Sequence, residues 1–128
     1  MMLTTWEKLE RIAKELAEAN NLSLLIVANI ADVKNDIKAL LELEKHRGRI
    51  LESINLVLDC QKEENIVQFI DLSLEVLLFA IDYAERKGIV LPNYSKLIDE
   101  ALQLLEELPP HLQHHRYNTQ RRDRTYKQ

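Results

Sequence analysis

Apolar residues recur three and four apart along almost the whole chain, which is the period of a helix and not of a strand. Trp6, Leu9, Ala13, Leu16 and Ala17 make a first stripe. Thr4 precedes Glu7 by three residues, the spacing of a capping box, so a first helix is predicted to start there. Glu7 with Arg11 and Glu10 with Lys14 are favourable i,i+4 pairs on its wet side. Asn20-Asn21 suggests a break and a new cap. A second helix is predicted from about 22 to 47, with Leu22, Ile26, Ile30, Val33, Ile37, Leu40 and Leu41 on one face. Asn29 lies at the edge of that face, either as a boundary residue or as a buried amide bonded across the bundle. Gly48 interrupts the pattern, and Ile50, Leu51, Ile54, Val57 and Leu58 resume it on a rotated stripe. One helix over 22–62 would be about 60 Å long, so a turn or kink is expected near 46–49. A glycine inside a helix costs only about 1 kcal/mol, which leaves continuity open.

A fourth helix is predicted from about Asn65 to Gly88, whose lack of a side chain suits a left-handed C-terminal position. Glu64, Gln68, Asp71, Glu75, Asp82 and Arg86 form a narrow polar stripe on it, and nearly everything else is apolar. Such a helix is expected at the centre, with Leu77, opposite the stripe, in the middle of the core. Phe79 falls inside the polar stripe, either as a boundary residue or as an anchor for a partner, since aromatics are enriched at interface hot spots. Ile89-Val90-Leu91-Pro92 is an extended connector. A fifth helix, capped by Asn93 or Ser95, carries Tyr94, Leu97, Ile98, Ala101, Leu102, Leu104, Leu105 and Leu108 on one face, and Pro109-Pro110 stops it. The expected fold is all-α: a single four- to five-helix bundle over 1–110, followed by a basic, flexible tail over 111–128.

Composition fits this pattern. Of 128 residues only 2 are Gly and 3 are Pro, too few for the turns of a sandwich or barrel. Cys60 is the only cysteine, which rules out an intramolecular disulfide, favours a reducing compartment and suggests a small core residue. The stretch 66–84 is interrupted by Asp71, Glu75 and Asp82, so no membrane span is expected. Met1 to Glu7 lacks the basic and apolar regions of a signal peptide, and a cytoplasmic location follows as the expectation. The net charge of −4 is uneven: residues 111–128 carry +4, leaving −8 on the rest.

Few side chains suggest chemistry. No Glu-x-x-His pair of the kind that builds metal sites in bundles occurs, and His111, His114 and His115 fall in the tail without groups to orient them. No catalytic residue, metal or cofactor is expected. Basic clusters remain. Lys45, His46, Arg47 and Arg49 bunch at the predicted turn, where they complement a helix dipole or contact phosphate. In the tail Arg116, Arg121, Arg122, Arg124 and Lys127, with Tyr117 and Tyr126 interleaved, either solubilise the terminus or pair with phosphates and stack on bases.

This combination of size, helical bundle, missing active site and local basic patches resembles the small helical subunits of CRISPR effector complexes. The resemblance covers 1–110 as architecture, and the acidic body departs from that family's basic surface. It implies a noncatalytic subunit that assembles with other protein subunits. Nucleic-acid contact, with RNA or single-stranded DNA, would fall to Lys45, Arg47, Arg49 and the basic residues of the tail. The alternative is a protein-binding helical module, such as an immunity protein, secretion chaperone or adaptor. For such a module the acidic body suits a basic partner and Phe79 is a candidate contact. Self-association is open under both, and neither involves a membrane.

Overall fold

In a computed structural model, which describes residues 4–113, the chain is all-helical, and helix α1 begins where the capping box places it. The Glu7 backbone N–H donates to Thr4 Oγ1 at 3.1 Å, and the Thr4 N–H donates to Glu7 Oε1 at 3.2 Å. α1 spans Thr5–Val33 without a break at Asn20-Asn21. Asn20 does not cap a helix; it is buried, and its amide nitrogen donates to the Ser73 carbonyl at 3.0 Å.

The true break is Lys34-Asn35-Asp36. Asn35 takes a left-handed φ of 57°, which an Asn tolerates better than most residues. The Asp36 N–H reaches back to the Ala31 carbonyl at 2.8 Å and the Asn35 N–H to Asp32 at 3.1 Å, so the exposed carbonyls at the end of α1 are satisfied. Asp36 then caps the next helix, accepting from the Ala39 N–H at 3.2 Å. α2 spans Ile37–Cys60 and runs straight through Gly48, so the turn expected at 46–49 is absent. α2 ends at Gln61, with φ 48°.

α3 spans Glu63–Arg86. Gly88, at φ 69°, closes it as Asn35 closes α1: the Ile89 N–H reaches the Ala84 carbonyl at 2.8 Å. α4 spans Ser95–Glu106, its start held by Asn93 Oδ1, which accepts from the Ser95 N–H at 3.0 Å. The chain does not leave the bundle at Pro110. A short α5 spans Pro110–Gln113 and turns Leu112 into the core at 1% exposure. Gln113 Nε2 lies 2.9, 3.1 and 3.0 Å from the carbonyls of Leu105, Glu106 and Leu108, the ends left open by α4.

α3 is the central helix and packs against all four others. The core has two apolar clusters. One joins Leu9, Ile12 and Leu16 of α1 to Ile66, Ile70, Leu74 and Leu77 of α3, with Ala101 and Leu105 of α4 and Leu112. The other joins Leu24, Val27 and Ala31 to Leu72, Val76, Ala80 and Tyr83, with Ala39 and Leu43 of α2. α1 and α3 therefore run parallel. Leu77 is fully buried, as its place on the helix predicts.

Two faces differ from expectation. In the second half of α1 the line Ser23, Leu24, Val27 and Ala31 faces inward, while Leu22 and Val33 of the predicted stripe are exposed. LSLLIVANIADV is apolar on two sides, so periodicity alone does not choose between them. Cys60, expected in the core, is exposed on the last residue of α2.

Candidate functional site

The most developed concavity lies between α1 and α2. The two helices meet at the Asn35 turn and are separated farther along by a groove whose floor is α3. One part, of 620 Å³, is lined by Ala17, Leu24 and Leu25 from α1, Ile50, Leu51 and Ile54 from α2, and Phe69 and Ser73 from α3. A second part, of 440 Å³, continues it past Trp6, Ala13, Val57, Leu58 and Ile66. Both parts share Ala17, Ile54 and Phe69. From Trp6 to Leu25 the groove follows α1 for about 28 Å at 1.5 Å per residue. Leu25 and Leu51, on its walls, are large apolar side chains left exposed.

The wall positions show why the groove forms here. Among them, one run takes 6, 10, 13, 17, 20 and 24 on α1 and another takes 47, 50, 54 and 57 on α2 and ends at its cap, 61, with 14, 18, 21 and 25 flanking the first and 51 and 58 the second. Both runs alternate steps of three and four, the spacing with which one helix receives another. A polar band crosses the core at mid-groove, between the two apolar clusters. Asn20 Oδ1, Ser23 Oγ and Ser73 Oγ are buried there without a hydrogen-bond partner among the described residues. Asn20 and Ser73 also line the groove. Buried oxygens without a hydrogen-bond partner are uncommon and costly.

Beyond the groove, α2 and α3 hold titratable side chains. His46 is half-buried with its ring 4.8 Å from that of Phe79, and its Nδ1 has no partner among the described residues. Burial holds the His46 imidazole below its ordinary value; Glu75 opposes this and Arg49 adds to it. Nearer the Asn35 turn, the Tyr83 hydroxyl donates to Asp36 Oδ2 at 3.0 Å, with Lys87 Nζ 4.0 Å from the same oxygen. The Ala39 N–H and then the Tyr83 hydroxyl hold the Asp36 carboxyl below the usual range, and burial followed by Asp36 pushes the Tyr83 phenol up.

The residues expected to contact phosphate are only partly brought together. Lys45, Arg47 and Arg49 sit in mid-α2, away from any helix end, so complementing a C-terminal dipole is not their role. Arg49 pairs with Glu75 of α3 at 3.4 Å, and Arg47 with Glu44 at 3.4 Å. Lys45 is exposed and has no ion-pair partner among the described residues. Arg116, Arg121, Arg122, Arg124 and Lys127 lie outside the described residues. Phe79 is a half-buried packing residue between His46 and Tyr83, at 4.8 and 6.5 Å between ring centroids.

No family model, curated protein or solved structure matches this chain. Among the described residues, no three His, Cys, Asp or Glu converge as a metal site, and no helix is long and apolar enough to cross a membrane.

Proposed function

We propose that this chain is a noncatalytic helical module of a larger assembly, and that it works by docking an amphipathic helix of a partner protein in the α1–α2 groove. The observation that carries this is the groove itself: two walls with coiled-coil spacing, an apolar floor and exposed leucines on its walls. Laying an apolar helix face into such a groove is a recurrent mode of recognition. The charge of −8 on the residues outside 111–128 favours a helix with basic flanks. The unpartnered oxygens of Asn20 and Ser73, both in the groove lining, can accept from a polar side chain at the middle of the incoming helix.

Ala17 supplies the test. It is exposed, lines both parts of the groove and lies in a helix, so Ala17→Arg puts a long charged side chain in the channel without touching the core. A designed amphipathic helix of leucine and lysine, titrated into the isotope-labelled full chain, should shift the NMR signals of Leu25, Ile54 and Phe69. Ala17→Arg should abolish those shifts and leave the thermal midpoint within a few degrees. Shifts confined to other surfaces, or unchanged by Ala17→Arg, would refute docking in the groove.

Nucleic-acid contact is kept as a second function on one observation, the +4 carried by residues 111–128. Binding through those residues would be steeply salt-dependent, unlike binding in the apolar groove.

A further inference from the structure

α2 has a second exposed apolar face, which shares Leu51 and Leu58 with the groove rim and extends away from it to Ile37 and Leu41. Of its 24 residues only Ala39, Leu43 and Ser53 are buried. Its outer side carries Ile37, Leu41, Leu51 and Leu58, which are 57, 66, 61 and 65% exposed. With Glu44, Gly48 and Asn55, all exposed, these residues recur in alternating steps of four and three. That is the seam of a two-stranded coiled coil, without a second strand among the described residues.

Two further observations select the occupant. Gly48 lies in mid-seam, where it weakens the helix, and a Cβ there would meet none of the described residues within 4 Å. Nothing among the described residues calls for a glycine at this position, whereas a closely approaching helix does. The second observation is charge. Beside the seam stand Lys38, Lys45, Glu52 and Asp59, seven residues apart, exposed and without ion pairs among the described residues. The order is two positive, then two negative. In an antiparallel pair of identical helices this flank faces itself, so Lys38 meets Asp59 and Lys45 meets Glu52, each twice by symmetry. In that register Leu41 lies against Leu58, Leu51 packs over Gly48, and Glu44 meets Asn55, so large meets small and polar meets polar. A parallel pair would set the same flank against Leu40, Arg47, Ile54 and Gln61, with Arg47 to Glu52 as its one opposite-charge pair.

We infer that α2 pairs antiparallel with the α2 of a second copy of this chain, making a two-fold dimer with its axis near Arg49 and Ile50. Leu51 and Leu58 of the seam also line the groove, but none of the four charged flank residues does, so exchanging those charges tests the dimer without altering the groove.

The experiment is a charge exchange on the full chain, read by sedimentation equilibrium. Wild type should be a dimer. The Lys38→Glu/Lys45→Glu chain has an all-negative flank, and the Glu52→Lys/Asp59→Lys chain an all-positive one. Each alone should dimerise about a hundredfold more weakly, because four attractive pairs become repulsive. Mixed in equal amounts, the two should restore a 1:1 heterodimer, which also shows that both fold. A wild-type chain that stays monomeric over the whole concentration range overturns the inference. So does a dimer indifferent to both exchanges, or a mixture that fails to pair.

Discussion

Single side chains in this protein do work that their residue type does not announce. Asn20 sits in a pair of asparagines, a turn signal by composition, yet it is a buried interhelical bond. Cys60, the residue type most expected in a core, is exposed. Phe79 lies on a polar stripe, yet its ring packs against those of His46 and Tyr83. His46 gives the clearest titration. Its imidazole is held below the ordinary value by burial, so as pH falls the unfolded chain takes up the proton first. The stability tied to neutral His46 is complete above about pH 6.5 and is lost as pH falls from there through the lowered folded-state value. The Asp36 carboxyl, also lowered, protonates only at still more acid pH, so the two windows separate. Urea midpoints measured at about pH 7.5 and 5.5 should fall for wild type and fall less for His46→Phe, whose apolar ring needs no partner. The same drop in both chains would remove His46 from the account.

At the level of elements, the short α5 is more than a terminus. Leu112 closes the bottom of the larger apolar cluster, and Gln113 satisfies the end of α4. A chain ending at Pro110 should therefore be less stable than one ending at Gln113 by about 2–5 kcal/mol, the range for emptying a buried leucine site. Equal urea midpoints for the two would show that α5 contributes nothing. Helix class, the central place of α3, the Thr4 cap, the Gly88 stop and the core position of Leu77 were all legible in the sequence, because each depends on neighbours within a turn or two. The helix boundaries between 20 and 49 were not legible. Asn20, Asn35 and Gly48 are all weak helix formers, and only tertiary contacts decide which of them ends a helix. Asn35 followed by Asp36 was the available signal, a left-handed closer followed directly by a cap. The groove was invisible because it depends on how far α1 and α2 separate, a distance that no run of residues encodes. Its α2 wall was visible: Ile50, Leu51, Ile54, Val57 and Leu58 appeared as one stripe, and all five line the groove.

For the molecule as a whole, the decisive asymmetry is between α3, which is enclosed, and α2, which leans on its neighbours along one edge. Thirteen of the 24 residues of α3 are buried, against three of the same number in α2. Local opening costs least where few buried contacts must be broken. In the monomer, below the concentration at which α2 pairs, amide hydrogens of α2 beyond Gly48 should therefore exchange with deuterium well before those of Ile70 to Leu77, at a rate set by local opening and not by global unfolding. Mass-spectrometric exchange on the intact chain measures this, and equal protection of the two helices would show a single cooperative unit. If the exchange differs as expected, time enters the behaviour of the bundle. Three helices and the short α5 persist as a lasting frame, while the second helix detaches and returns many times within the lifetime of that frame. A helix that can leave on its own can also be recruited on its own, before the rest of the protein has had to change.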